Sequence, residues 1–223
     1  MKALKPIKAG EEIFNDYGPL PRSDLLRRYG YVTENYAQYD VVEISHSLVL
    51  DIVSKAGWNA ESKLDYLDEQ GVIDTGYDIS TSTPFDIHES LSPELVVLAE
   101  TLLLPDGDFE RLKRKEKLPK PENISVKGAD FLHKLVQARI RQYPTTLAED
   151  MRTASEATMT GHGTLKEQRY DVAKSVRVGE KKILTEAEKA LAQMAQEVVH
   201  TSGGSKRSAE EMDSGAGKRQ RAR

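Results

Sequence analysis

The chain contains no cysteine among its 223 residues, and this absence excludes several classes of site. Disulfide bonds, iron–sulfur clusters and thiolate zinc sites all require the sulfur of that residue. A chain without disulfides is compatible with a reducing compartment. A metal site would then depend on histidines and carboxylates, but the five histidines show no ligand spacing. The sequence therefore predicts no metal site.

The sequence also lacks long apolar runs. The longest, Leu95 to Leu104, is interrupted by Glu100 and Thr101 and is too short to cross a bilayer. Residues 1–8 have no apolar core of signal-peptide length. With 30% charged and 38% hydrophobic residues, we expect a soluble protein with a polar surface and no membrane partner.

Residues 9–21 carry the first informative local pattern. Gly10 stands where a tight turn is favourable for the backbone. The residues Glu12–Phe14 then indicate a short strand that enters packed structure. Pro19 and Pro21 end it, because proline cannot donate a hydrogen bond to a neighbouring strand. The pattern predicts a turn followed by a short strand.

A short helix is predicted immediately after this strand. Ser23 or Asp24 can cap its first turn, and Gly30 is well placed to end it. Its apolar residues at helical spacing are Leu25, Leu26 and Tyr29.

These residues also carry a family resemblance. The segment Gly10-Glu-Glu-Ile-Phe-Asn-Asp-Tyr17-Gly18, followed by a helix that ends in Tyr29-Gly-Tyr-Val32, resembles the C-terminal end of a SET-domain protein-lysine methyltransferase. It is most similar to the plant Rubisco large-subunit methyltransferases and to the fungal enzymes that methylate ribosomal-protein lysines. The resemblance implies that Tyr17 is the catalytic tyrosine and that Tyr29 and Phe14 line the substrate-lysine channel. Without the resemblance, the segment is an ordinary turn with two packing tyrosines.

The resemblance further implies the cofactor S-adenosyl-L-methionine and a protein substrate, in the first instance a basic ribosomal protein. In the family, a glycine-containing cofactor loop and an Asn-His motif precede the tyrosine. Here the tyrosine is only residue 17, and no asparagine is followed by histidine. We therefore expect residues 1–31 to be the last part of a SET domain. As written, the chain is expected neither to bind the cofactor appreciably nor to methylate lysine alone.

The remainder of the chain, from residue 40 to 200, has mainly helical periodicity. The β-branched run Asp40–Ser45 predicts a short strand, and Tyr77–Ser80 predicts a short extended piece. Ser92-Pro93-Glu94 has the form of a strong helix start, and the helix that follows is expected to be the most buried. Trp58, the only tryptophan, is predicted to anchor the core. The fold class is therefore mainly α.

Two separate helices are predicted near the C-terminus. Thr164 to Leu184 forms the first, and Thr185-Glu-Ala-Glu188 has the form of a capping box that opens the second. The run Arg177-Val-Gly179-Glu-Lys-Lys-Ile-Leu184 is similar to the end of the helical substrate-binding module of the same family. The resemblance implies that residues 32–200 form this module, although composition alone indicates only a generic helical bundle.

Residues 201–223 differ from the rest in charge and composition. They carry six basic and three acidic side chains, whereas the other 200 residues carry 26 basic and 33 acidic ones. No apolar periodicity is present, so we expect this tail to be disordered. Two basic clusters on a ten-residue spacer have the form of a bipartite nuclear-import signal. The clusters are Lys206 and Arg207, then Lys218, Arg219 and Arg221.

The tail predicts an import carrier as partner and the nucleus as location, with the cytoplasm as a second location. Basic tails also bind nucleic acid non-specifically, but the spacing favours import, and no specific nucleic acid is predicted. Two function classes remain open. One is a protein-lysine N-methyltransferase represented by its C-terminal portion. The other is a non-catalytic nuclear helical module that binds proteins.

Overall fold

Helices dominate the part of the chain that the structure describes. The computed structural model describes residues 2–3, 5–15, 17–157 and 164–201, without the side chains of residues 153–157 and 197–201. Its helices are α1 (Arg22–Tyr29), α2 (His46–Lys55), α3 (Glu61–Glu69), α4 (Ile87–Ser90), α5 (Pro93–Leu103), α6 (Asp106–Lys113), α7 (Val126–Ile140), α8 (Leu147–Ala157) and α9 (Leu165–Thr201). The prediction of a mainly α fold is confirmed.

The described residues form one small sheet. β1 (Val41–Ser45) pairs antiparallel with β2 (Gly76–Ser80), and a 3₁₀ helix, Glu34–Tyr39, joins α1 to β1. The side chains alternate along β1, so that Val42 and Ile44 are buried while Glu43 is exposed. The strand predicted from the β-branched run Asp40–Ser45 and the extended piece predicted at Tyr77–Ser80 are both confirmed.

The start of the central helix α5 is defined by a capping residue and a proline. The hydroxyl of Ser92 accepts a hydrogen bond from the backbone N–H of Leu95 at 3.3 Å, and Pro93 occupies the first turn. Its buried residues are Leu95, Val96, Val97, Leu98, Ala99, Thr101 and Leu102. The helix is apolar on nearly every side because other elements of the module surround it.

Helices α7 and α9 form the main antiparallel pair of the module. The side chain of Gln137 on α7 donates to Glu188 on α9 at 3.1 Å, and Tyr143, just beyond α7, donates to Glu180. The fully buried leucines Leu132, Leu135, Leu184 and Leu191 lie on these two helices. This pairing places the end of α9 at the same end of the module as the start of α7.

The predicted break before Thr185 is wrong, because α9 is continuous from Leu165 to Thr201. The hydroxyl of Thr185 donates to the carbonyl oxygen of Lys181 at 2.7 Å, one turn back in the same helix. Ile183, Leu184 and Ala187 are all buried on either side of this position. Packing against α7 therefore favours helix through the position where the local pattern indicated a cap.

The predicted strand at Glu12–Phe14 is also wrong. These residues have no regular structure, and Ile13 and Phe14 are 75% and 79% exposed. A strand needs a neighbour to satisfy its backbone groups, and the only sheet in the described part of the chain, β1–β2, does not pair with these residues. The following helix, α1, ends at Gly30 as predicted, with a left-handed φ of 75°.

The start of α1 corrects a further prediction. Neither Ser23 nor Asp24 caps this helix; Pro21 takes that position without a side-chain hydrogen bond. Asp24 instead forms ion pairs with Arg27 and Arg28 along the helix.

Among the described helices, none is long and apolar enough to span a bilayer. The predicted disorder and import signal of the tail lie outside the described residues.

Candidate functional site

The structure brings together the two tyrosines that the sequence singled out. The rings of Tyr17 and Tyr29 stack with their centroids 4.0 Å apart and their planes at 19°. Tyr29 is the last residue of α1, and Gly18, with a left-handed φ of 77°, follows Tyr17 at the turn toward that helix. The stack provides a flat aromatic surface at the end of α1.

This aromatic surface is open to solvent. Tyr17 is 37% and Tyr29 44% exposed. Phe14, the third predicted channel residue, is largely exposed and forms no ring contact within the described residues. None of the three lines either of the two pockets described below. The described residues therefore place these three rings on an open surface and do not enclose them.

A buried ion pair fixes α1, and with it Tyr29, against the rest of the molecule. Both Nε and Nη2 of Arg22 donate to Oδ2 of Asp40, at 2.9 and 2.6 Å, and the backbone N–H of Arg22 donates to Oδ1 at 3.0 Å. Glu34 accepts a further bond from Nη1 at 2.7 Å. Burial is the largest influence and lowers the pKa of Arg22, but the hydrogen bonds and negative charges of Asp40 and Glu34 together outweigh it and raise the pKa, so the guanidinium stays charged.

Gly179 of α9 completes this arrangement. A Cβ atom at this position would lie 2.3 Å from Oδ2 of Asp40 and 2.5 Å from Nη2 of Arg22. Only a residue without a side chain therefore lets α9 approach the ion pair so closely. We call Arg22, Asp40 and Gly179 the α1 latch. No local pattern predicted the ion pair of the latch, although an isolated glycine in a helical pattern is typical of a packing constraint.

The residues around Gly179 on α9 anchor further elements. Arg177 and Lys181 both donate to Oδ2 of Asp150 on α8, at 3.1 and 2.6 Å. Burial alone would raise the pKa of Asp150, but the bonds from Lys181, Thr145 and Arg177 lower it below its usual value. The run from Arg177 to Leu184, noted in the sequence, thus joins α9 to α1 and α8.

A second candidate site surrounds Trp58, which is not the core anchor that the sequence predicted. Its ring packs against Phe131 with a centroid distance of 5.4 Å, yet the residue is 37% exposed. It follows Gly57 in the turn between α2 and α3, where a left-handed φ of 68° brings the indole to the module surface. The tryptophan therefore has one packed side and one solvent side.

Two adjoining pockets share Trp58, Asn59 and Ala60. The first, of about 640 Å³, is lined by Trp58, Asn59, Ala60, Ser62, Lys63, Leu102, Leu103, Asp106, Phe109, Glu110 and Lys127. The second, of about 450 Å³, is lined by Leu50, Val53, Ser54, Trp58, Asn59, Ala60, Glu61, Leu64 and Asp65. We call the surface formed by Leu50, Trp58, Glu61, Leu64 and Asp65 the Trp58 groove.

The two pockets differ in charge. In the first, the buried ammonium of Lys63 donates to the backbone carbonyls of Leu102 and Leu104 at 3.1 and 2.6 Å, which satisfies the end of α5. The second pocket contains the carboxylates of Glu61 and Asp65 and no basic residue. The Trp58 groove is therefore apolar on its floor and acidic on its rim.

Metal chemistry has no support in the geometry of the described side chains. Among them, no group of three or more histidines and carboxylates converges on a common point.

Comparison with known proteins gives a family match over most of the helical module. Residues 58–184, more than half of the chain, match the family described as "Rubisco LSMT substrate-binding". The match begins at Trp58 and ends at Leu184, so it contains Gly179 and most of the Trp58 groove. The module implied by the sequence resemblance is thus found by an independent comparison.

Three curated relatives are protein-lysine methyltransferases by name. Ribosomal lysine N-methyltransferase 4 of Schizosaccharomyces pombe is 28% identical over 146 residues, which is 65% of this chain and 29% of that protein. Its Saccharomyces cerevisiae namesake is 40% identical over 68 residues, 30% of this chain and 13% of that protein. Human N-lysine methyltransferase SETD6 is 24% identical over 213 residues, 82% of this chain and 42% of that protein. The matched part spans less than half the length of each relative.

Proposed function

The chain belongs to the Rubisco LSMT substrate-binding family, and from this premise we propose that it is the protein-binding end of a protein-lysine N-methyltransferase that uses S-adenosyl-L-methionine. The family match over the helical module is the observation that carries the proposal. Residues 1–31 are then the last part of the SET domain. The stacked Tyr17 and Tyr29 supply the aromatic wall beside which a substrate lysine would lie.

The described residues do not form a cradle for the cofactor. Tyr17 and Tyr29 are open to solvent, and neither of the two pockets around Trp58 includes them. A lysine amine, with a pKa of about 10.4 in water, loses its proton readily only in a narrow, dry channel. The proposal is therefore that further SET-domain segments close this channel and hold the cofactor. Tyr17 then orients the amine within it.

The first test compares this chain with a longer form that includes the segments of the SET domain that precede it. Isothermal titration should detect S-adenosyl-L-methionine binding only in the longer form, which should also transfer methyl groups to ribosomal proteins. Tyr17→Phe in that form should lower the rate sharply, because the hydroxyl no longer orients the amine. Tyr31→Phe is a matched control, since Tyr31 is exposed to a similar degree but lies outside the stack.

Two results would contradict these assignments separately. Micromolar cofactor binding by the 223-residue chain would show that it holds a complete cofactor site. Full activity of the longer Tyr17→Phe form would remove the proposed role of this hydroxyl.

A basic ribosomal protein is the proposed partner. Outside residues 201–223 the chain has seven more acidic than basic residues, which favours association with a basic surface. Two relatives are named as ribosomal lysine methyltransferases. We expect purified ribosomal proteins to bind the chain and added salt to weaken the binding. An acidic protein of similar size is the control, and equal binding of both would contradict the proposal.

A non-catalytic protein-binding module is the second candidate. The open position of the tyrosine stack favours it, because the described residues alone form no enclosed catalytic site. The longer form again decides between the candidates. If it binds ribosomal proteins but neither binds the cofactor nor transfers a methyl group, the non-catalytic function is correct.

Nuclear import is proposed from the tail sequence alone. Lys206 and Arg207 form one basic cluster, and Lys218, Arg219 and Arg221 form the other. Two weak sites on one spacer bind a carrier better than either alone. A fluorescent fusion of residues 201–223 should accumulate in the nucleus, and Lys206→Ala with Arg207→Ala should weaken this. An even distribution of the unmodified fusion through the cell would contradict the assignment.

A further inference from the structure

We propose that the Trp58 groove is the docking site for a lysine- or arginine-bearing segment of the protein partner. This inference rests on the proposed protein-binding function of the module and adds a location and a recognition chemistry. It concerns a surface separate from the tyrosine stack, since none of the residues that line the groove belongs to residues 1–31.

The apolar part of the groove has the features of a site that anchors a protein–protein interface. Trp58 and Leu50 are 37% and 38% exposed, and both line the pocket of about 450 Å³. The contact with Phe131 holds the indole in place from behind. A large aromatic side chain that is already ordered loses little conformational entropy when a partner covers it, and tryptophan is enriched among residues that dominate binding energy.

The charged part of the groove selects the partner. Glu61 and Asp65 lie one turn apart on α3, so their carboxylates share one face of the helix. Both are exposed, and neither forms an ion pair within the described part of the chain. A basic side chain would satisfy both carboxylates, whereas an acidic one would be repelled.

The cations of the neighbouring pocket do not neutralise this rim. Lys63 points to the neighbouring pocket, where its ammonium is held by backbone carbonyls and lies 3.8 Å from Asp106. Of the two pockets, Lys127 lines only that neighbouring one, together with Asp106 and Glu110. The two pockets together therefore contain four carboxylates and two ammonium groups, one of them already bound inside the protein.

The occupant that fits this surface is a lysine or arginine next to an apolar residue. The aliphatic stem of the basic side chain would lie on Leu50 and Leu64, and its cation would face the indole of Trp58 and the two carboxylates. The apolar neighbour would cover the remaining exposed part of the floor. Charge complementarity is what favours a basic protein segment over an acidic or neutral one.

The absence of a second tryptophan makes a direct test practical, because all tryptophan emission comes from Trp58. The probe is a nine-residue, end-blocked peptide with a Lys-Arg pair flanked by leucines. The same peptide with two glutamines in place of the pair is its control. We expect the basic peptide to shift the Trp58 emission and to release binding heat, with a salt-dependent affinity, and the control peptide to do neither.

The matched variants separate the groove from general charge effects. Glu61→Gln with Asp65→Asn should weaken peptide binding about five- to tenfold, because both side chains are exposed and each lost ion pair is modest. Glu89→Gln with Asp171→Asn removes the same charge from exposed positions that line neither pocket. This second pair should leave the affinity within about twofold of the original.

The remaining outcomes each overturn the proposal in a distinguishable way. Peptide binding without an emission change, and with equal affinity in both variants, would place the contact elsewhere and leave protein binding intact. No peptide binding, while ribosomal proteins still bind, would refute the groove chemistry alone. Failure of both ligands would refute the proposed function as well. A salt-induced emission change before peptide is added would show that basic residues of the chain's own tail occupy the groove.

Discussion

Phe14 and Leu135 are both large apolar residues, yet Phe14 is 79% exposed and Leu135 is fully buried. Leu135 belongs to a core in which α5, α7, α9 and the small sheet enclose one another. Phe14 precedes α1 in a segment without regular structure and contributes nothing to that core. The helical module thus has its own hydrophobic stabilisation, whereas the N-terminal segment is positioned mainly through the α1 latch and the burial of Leu25.

The comparison shows that one chain combines two kinds of order. In the module, order comes from many buried apolar side chains. Each large side chain that is fully buried contributes about 1.5–3 kcal/mol to the free energy of unfolding. In the N-terminal segment, order comes from the burial of Leu25 and from one buried ion pair. Removing either partner of this pair would leave the other as an uncompensated buried charge. The tyrosine stack belongs to the N-terminal segment, which has fewer stabilising contacts than the module.

The largest expected effect is at Asp40, where the two regions are joined. Asp40→Asn removes the buried negative charge beside Arg22 and leaves Glu34, whose side chain is 79% exposed, as the remaining ion-pair partner of this buried cation. An uncompensated buried charge costs about 3–5 kcal/mol of unfolding free energy. Chemical denaturation of this variant measures the loss.

Glu34→Gln is the matched control, because it removes the other carboxylate partner of Arg22. A solvent-exposed pair contributes about 0–1 kcal/mol, so this variant should stay within that range. Equal losses in the two variants would contradict the assignment of the latch to the buried pair.

The next effect compares the two apolar residues directly. Leu135→Ala should lower the unfolding free energy by about 2–5 kcal/mol, because it leaves a cavity in the core of α7. Phe14→Ala should change it by no more than about 0.5 kcal/mol, since the ring already faces solvent. Denaturation curves of both variants provide the measurement. A loss above about 2 kcal/mol for Phe14→Ala would mean that the N-terminal segment shares the core after all.

A smaller effect is expected at Gly179. Alanine in a helix interior is normally favoured over glycine by about 0.5–1 kcal/mol. At Gly179 the new methyl group would meet the Arg22–Asp40 pair, so Gly179→Ala should instead cost about 1–3 kcal/mol. Gly107→Ala on α6 is the control, because a Cβ there meets nothing within 4 Å, and it should be neutral or stabilising. If thermal unfolding shows that Gly179→Ala is more stable than Gly107→Ala, the close approach of α9 to the Arg22–Asp40 pair is refuted.

The smallest effect is the acid dependence of the α8–α9 contact. The pKa of Asp150 is lowered in the folded state, so its contribution to stability is complete above the unfolded value of about 3.9. That contribution disappears as the pH falls from this value through the lower folded pKa. Between pH 5 and pH 2.5, the unfolding free energy of the wild type should fall more steeply than that of Asp150→Asn. Parallel curves would contradict the role of this carboxylate.

Local sequence signals predicted most of the module. Ser92 and Pro93 mark the start of α5, and Gly30 ends α1 in a left-handed conformation, because these features act within a few residues. The two extended segments, of which only Asp40–Ser45 was predicted from β-branched residues, were found for the same reason. Periodicity also identified α5 as the most buried helix, since it is apolar on several sides.

The errors arise where distant contacts override local preference. Thr185 has the sequence of a cap but lies inside α9, because burial of Ile183 and Ala187 favours a continuous helix. Glu12–Phe14 has strand propensity without a strand to pair with. Trp58 was assigned to the core by residue type, although Gly57 brings it to the surface.

The candidate site was predictable only in part. The pairing of Tyr17 with Tyr29 follows from a motif, because the turn and helix between them are short. The pairing of Arg22 with Asp40 and their contact with Gly179 depend on how α1, β1 and α9 meet, which no local pattern encodes. The predictions for Lys206 and the other basic residues of the tail remain predictions.

Hydrogen exchange of the intact 223-residue chain tests the division between the two regions most directly. We predict that amides of α5 and the central part of α7 exchange only through global unfolding, that residues 8–18 exchange almost freely, and that α1 lies between them. Asp40→Asn should shift α1 toward free exchange without changing the ranking of α5 and α7. Protection of residues 8–18 equal to that of α5 would contradict the account, because the N-terminal segment would then belong to the same cooperative unit as the module.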